Sequence, residues 1–141
     1  MISRVLVPMD GSEMSEHALE YALEVHPECD VTVLHVVGGP SPMWGEATSL
    51  ALAEDIEAVA EERAESIFER AREIAAAEGY SGRLETQLAF GHPVSVILDQ
   101  AEDVDVVVLG THGGTLAERL FVGNVAEKIF RRSPVPVTVV R

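Results

Sequence analysis

Val104-Asp105-Val106-Val107-Val108-Leu109 is the most apolar short run in this chain of 141 residues, and Gly110-Thr111-His112-Gly113-Gly114-Thr115 follows it directly. A run that short, apolar and without a helical period reads as a strand buried on both faces, here the central one. Upstream, Pro93 suits the first position of a helix over Val94–Ala101. Before it, Leu84, Thr86, Leu88 and Phe90 alternate with Glu85 and Gln87, the pattern of a half-exposed strand over Leu84–Phe90. Downstream of the segment 110–123, Val125–Arg132 reads as a helix and Pro136–Val140 as a last strand.

The N-terminal half repeats this alternation. Arg4–Pro8 is a Val/Leu strand, and Asp10-Gly11-Ser12 opens a helix with Ser12 as N-cap and Glu13 and Glu16 in its first turn, where the helix dipole favours acids. Ala18, Ala22 and Val25 follow at helical spacing beside Leu19 and Leu23, until His26-Pro27 ends the helix. Asp30–Val37 is a second strand. Gly38–Ser49 reads as a loop and holds Met43 and the only tryptophan, Trp44. Leu50–Glu78 is a long amphipathic helix with Leu52, Ile56, Val59, Ala60, Ile67, Ala71 and Ile74 on one stripe, and Gly79 is its stop. The sum is β-α-β-α-β-α-β-α-β in one domain, which calls for an α/β fold with a parallel sheet and helices on both faces.

Composition narrows the function classes. Ten Lys plus Arg stand against 24 Asp plus Glu, for a net charge of −14, and Lys128 is the only lysine. No basic footprint exists for nucleic acid or anionic lipid. Such an acid excess fits a high-salt cytoplasm or simply an acidic protein. Cys29 is the only cysteine, so no internal disulfide forms. No apolar run approaches the roughly 20 residues of a membrane span, and no signal-peptide pattern opens the chain, so a cytoplasmic location is expected.

In open parallel sheets ligands bind beyond the C-terminal strand ends, where the strand order reverses. That rule selects Met9-Asp10-Gly11, Val36–Gly39 and Gly110–Gly114. The last is glycine-rich and leads to Gly123-Asn124 at a helix start, so it reads equally as a phosphate cradle or as an ordinary β-to-α turn. Neither G-x-x-x-x-G-K-[ST] nor an early G-x-G-x-x-G is present. His35 lies in an apolar strand and reads as a satisfied core histidine. His17, His26 and His92 have no ligand spacing, so no transition-metal site is expected. Catalytic residues are not evident: there is no G-x-S-x-G elbow, and Cys29 has no obvious base.

The segment GTHGGTLAERLFVGNVAEKIFRRSPVPVTVVR resembles the C-terminus of the universal stress protein family, RVLVPMDGSEMSEHALEYAL its first strand and helix, and VTVLHVV its second strand. The pattern G-x2-G-x9-G is met by Gly110, Gly113 and Gly123. The resemblance implies a Rossmann-like sheet of order 3-2-1-4-5 in a single domain spanning 1–141. It also implies binding of ATP, with Mg2+ carried on the phosphates. Pro8, Asp10 and Val36 would then take the nucleoside, and Leu109, Gly110, His112, Gly113, Gly123, Asn124 and Val125 the phosphates. Two departures weaken the phosphate side: Asn124 replaces the usual Ser/Thr, and Gly114 a frequent Arg, leaving Arg119 as the loop's cation.

Family members pair their last strands, so a homodimer through Val135–Val140 is expected, acting as a nucleotide-binding stress-response regulator. The alternatives are a structural dimer that binds no nucleotide and a slow Mg-dependent ATPase.

Overall fold

Successive side chains on a strand point to opposite faces, so a short run of branched residues can fill two cores at once. The computed structural model describes residues 1–38, 46–111 and 124–141, with backbone alone over 46–54. Five strands, β1 (Arg4–Pro8), β2 (Asp30–Val37), β3 (Leu84–Phe90), β4 (Val106–Gly110) and β5 (Val137–Val140), form one sheet. Its order is β3-β2-β1-β4-β5, with every pairing parallel. Four helices are described: α1 (Glu13–Val25), α2 (Glu46–Ala77), α3 (Pro93–Ala101) and α4 (Asn124–Arg132).

Val5, Val7, Val31, Val33, Val106 and Val108 face α1 and α2, packing on Ala18, Leu19, Ala22, Ile67, Ala71 and Ile74. Leu6, Leu34, Val107 and Leu109 face the other way, onto Val94 and Ile97 of α3 and Ala126 and Ile129 of α4. The helix ends follow their local chemistry. Ser12 Oγ accepts from the Ser15 N–H at 3.2 Å, the expected N-cap. Gly79, at φ 68°, closes α2: its N–H donates to Ala76 O and that of Tyr80 to Ala75 O, at 3.1 and 3.0 Å. Those two bonds are a Schellman closure.

Several boundaries differ from the sequence reading. Helix α2 starts at Glu46 rather than Leu50, because Glu46-Ala47-Thr48-Ser49 contains no helix breaker. Val25 is 48% exposed, so the buried stripe of α1 ends at Leu23. Strand β5 starts at Val137, one residue after Pro136. The central strand starts at Val106, not Val104. Val104 still belongs to the turn after α3, its N–H reaching Ala101 O at 3.3 Å. Asp105 turns its carboxylate to the chain start, where Oδ2 accepts from the Ser3 N–H, the Ser3 hydroxyl and the Arg4 N–H at 2.9, 3.0 and 2.9 Å.

Those bonds hold the Asp105 carboxyl below its ordinary pKa, the backbone donors of Ser3 and Arg4 contributing most. A depressed folded-state pKa gives stability that is present above the ordinary carboxylate range and lost as pH falls through the folded value. Asp105→Asn is therefore expected to lower the urea midpoint at pH 7, with the gap to the parent closing below roughly pH 4. Unfolding curves for both proteins between pH 7 and 3 check this; a gap independent of pH contradicts it.

Candidate functional site

All five parallel strands end at one rim. The chain winds outward from β1 to β3, then returns to the other side of β1 for β4 and β5, so the strand order reverses between β1 and β4. Helices leave that point on opposite faces and open a crevice. The ends of β1 and β2 are tied together there. The Met9 N–H donates to Leu34 O at 2.8 Å. His35 Nδ1 lies 2.7 Å from Met9 O, and since a carbonyl only accepts, the ring proton sits on Nδ1. His35 is thus the buried, satisfied histidine expected of it, 6% exposed.

Beyond β1 the chain makes a tight turn. Asp10 Oδ1 accepts from the Ser12 N–H at 2.9 Å, and Gly11 takes φ 85°, a conformation that favours glycine. Burial works to raise the Asp10 carboxyl, but hydrogen bonds from Ser12 and Ser15 outweigh it and hold the group below its ordinary pKa. Asp10 is therefore an anion at neutral pH, an acceptor for a hydroxyl or amine and a poor neighbour for phosphate.

At the end of β4, Leu109 is buried with Ala126 and Ile129. Gly110 serves packing first: a Cβ there would lie 2.4 Å from the Met14 carbonyl oxygen, so the start of α1 sits directly on it. The Thr111 N–H donates to Val140 O at 2.9 Å. Its hydroxyl is buried and has no hydrogen-bond partner among the described residues.

Of the residues singled out from sequence, Pro8, Asp10, Val36, Leu109 and Gly110 lie on this rim. Asn124 and Val125 open α4 and are exposed. His112, Gly113 and Gly123 lie outside the described residues, as do Met43, Trp44, Gly114 and Arg119.

Helix α2 adds a wall drawn from the apolar stripe read in its sequence. A pocket of about 500 Å³ lies between the end of β2 (His35, Val36, Val37, Gly38) and Asp55, Ile56, Val59, Ala60 and Arg63 of α2. Ile56 and Val59, part of the apolar stripe read from sequence, are 42% and 64% exposed, because the sheet has ended below them. A length comparison carries the signal. Thirty-two helical residues span about 48 Å, whereas the eight of β2 span about 26 Å, so about 20 Å of helix must overhang. Arg63 stands at the inner end of the pocket and donates from Nη2 to the Asp10 carbonyl at 3.2 Å, linking the pocket to the β1 turn.

With this geometry in view, comparison with known proteins settles the class. The model of the universal stress protein family matches residues 1–141, and the chain belongs to that family. It is 28% identical over 144 residues to the universal stress protein MJ0531 of Methanocaldococcus jannaschii, covering 100% of this chain and 83% of that protein. It is 29% identical over 150 residues to the universal stress protein YxiE of Bacillus subtilis, with 100% of both covered.

Among solved structures, universal stress protein UspA from Lactobacillus plantarum superposes with a TM-score of 0.83 at 26% identity, covering 99% of this chain and 98% of that one. A universal stress protein in complex with cAMP gives 0.71 at 24%, covering 99% and 97%. A family protein of Arabidopsis thaliana with AMP bound gives 0.60 at 18%, covering 98% and 90%. At those last two identities the likeness speaks for the fold. Among the described residues no helix is long and apolar enough to cross a membrane.

Proposed function

We propose that this protein binds an adenine nucleotide, ATP in the first instance, at the rim between β2, β1 and β4, and acts as a stress-linked regulator in the cytoplasm. The observation that carries the reading is the pocket against Val36. It is apolar along Val36, Val37, Ile56, Val59 and Ala60, has a volume within the range of small-molecule sites, and is joined to the Asp10 turn through Arg63. A purine fits such a slot by burying both faces, and the anionic Asp10 accepts from a ribose hydroxyl at its inner end. Phosphates would then extend toward Gly110, with Mg2+ offsetting their charge in an acidic protein. That a cAMP complex and an AMP complex exist on this fold supports its capacity for adenine nucleotides. The glycine pattern at 110, 113 and 123, with Asn124 as an amide-tipped helix start, supports the phosphate side.

Calorimetry with ATP, with and without Mg2+, is the test. Saturable binding is expected, and Val59→Glu, which sets a carboxylate on the apolar wall at an exposed position, is expected to weaken it by more than about tenfold without lowering the melting temperature. No heat at millimolar ATP, or equal affinity in the variant, overturns the reading. The protein is also proposed to act as a dimer through β5, whose outer edge carries no described partner strand.

A further inference from the structure

Building on the nucleotide reading of the rim, we infer that Arg63 is the residue by which the site distinguishes a nucleotide from a nucleoside, its guanidinium contacting the phosphate attached directly to the ribose. Of the described side chains lining the pocket only Asp55 and Arg63 are charged, and they sit eight residues apart on one stripe of α2, about 12 Å along the axis. Asp55 is at the outer end. Arg63 is at the inner end, held beside β1 by its bond to the Asp10 carbonyl.

The neighbouring geometry places Arg63. Its Nη2 would lie 3.6 Å from a Cβ on Gly11, so the guanidinium covers the backbone of the turn that carries Asp10. A ligand with its base against Val36 and its sugar at Asp10 presents its first phosphate at this turn. The anionic Asp10 repels that phosphate, and a cation must stand between them for it to settle.

Arg63 meets that need. The bond to Asp10 O uses one of its five N–H donors, and among the described residues it forms no ion pair, although the chain holds 24 acidic residues. Its planar fork matches phosphate oxygens in a way a lysine does not. Nor does the motif supply a substitute next to the glycine turn, since position 114 is glycine. The first phosphate is then read by a side chain of α2 that already leans on the β1 turn.

The test is a titration of AMP and adenosine into the parent protein, Arg63→Gln and Arg63→Lys. The parent is expected to prefer AMP over adenosine by at least about tenfold, the size of one charge-assisted hydrogen bond. Arg63→Gln is expected to lose about ten- to hundredfold in AMP affinity, to leave adenosine binding unchanged, and to erase the preference; Arg63→Lys should fall between. Thermal melts of the unliganded variants, expected to match the parent, confirm that the fold is intact.

Equal losses for AMP and adenosine in Arg63→Gln would mean that the guanidinium stacks on the base, and would overturn the assignment. So would unchanged AMP binding with ATP binding still sensitive to Val59→Glu, which leaves the nucleotide reading standing alone. A parent protein that binds neither AMP nor adenosine nor ATP removes both.

Discussion

Replacing Gly110 with alanine is expected to destabilise the protein by about 1–3 kcal/mol, the cost of overpacking a close-packed interior. In a chain of this size that lowers the melting temperature by roughly 3–12 °C. The added Cβ would lie 2.4 Å from the Met14 carbonyl oxygen, 2.6 Å from its carbon and 3.1 Å from the Ser15 nitrogen. These are backbone atoms of the first turn of α1, so no side-chain rotation relieves the contact. Either the end of β4 or the start of α1 must move. Moving α1 carries Ser12 with it, and Ser12 organises the Asp10 turn. Thermal melts and ATP titrations should therefore fail together in Gly110→Ala. A variant as stable as the parent would mean that the contact relaxes freely and that this glycine serves a ligand only.

A second large effect is expected at the sheet edge. Val139→Pro should convert the proposed dimer into a folded monomer. The Val107 N–H donates to Pro136 O and the Thr111 N–H to Val140 O, at 3.0 and 2.9 Å, so the even-numbered residues of β5 direct their backbone groups toward β4. By the alternation of a strand, Val137 and Val139 direct theirs outward. Proline at 139 removes an outward donor while sparing the β4 ladder, which is the arrangement edge strands tolerate. Light scattering coupled to size exclusion, beside circular dichroism, reads the result. A dimeric Val139→Pro protein with native dichroism would mean that the subunits meet elsewhere, and a monomeric parent would remove the β5 interface altogether.

Much of this architecture was legible because its causes are local. Ser12 caps α1, Pro93 starts α3 and Gly79 stops α2 through short-range stereochemistry that any reader of the sequence can apply. The strands β1, β2 and β3 carried their boundaries in runs of Val and Leu or in strict alternation. Asp105 was read as part of β4 because its role depends on Ser3 and Arg4, about a hundred residues away.

The proposed site was legible on one side only. Asp10 and Val36 follow from the rule that ligands sit where strand order reverses, once the order is known, whereas Pro8 comes only from the family resemblance. Ile56 and Val59 were hidden because an apolar residue facing a ligand pocket and one facing a sheet look alike in a helical stripe; only the excess length of α2 separates them. Arg63 was hidden for a different reason. A charged residue on a helix rich in Glu and Arg reads as solvated surface until the Asp10 carbonyl is found beside it. Gly110, read from sequence for a ligand, also carries a packing role that the sequence did not show, because α1 sits directly on it.

The central claim is that an adenine base occupies the slot between the end of β2 and the overhanging turns of α2. A crystal structure of the protein grown with ATP and Mg2+ tests it most directly. The account predicts purine density between Val36 and Val59, with the ribose at Asp10 and the first phosphate on Arg63. Nucleotide density elsewhere on the surface, or a slot empty of nucleotide at saturating ATP, would contradict it.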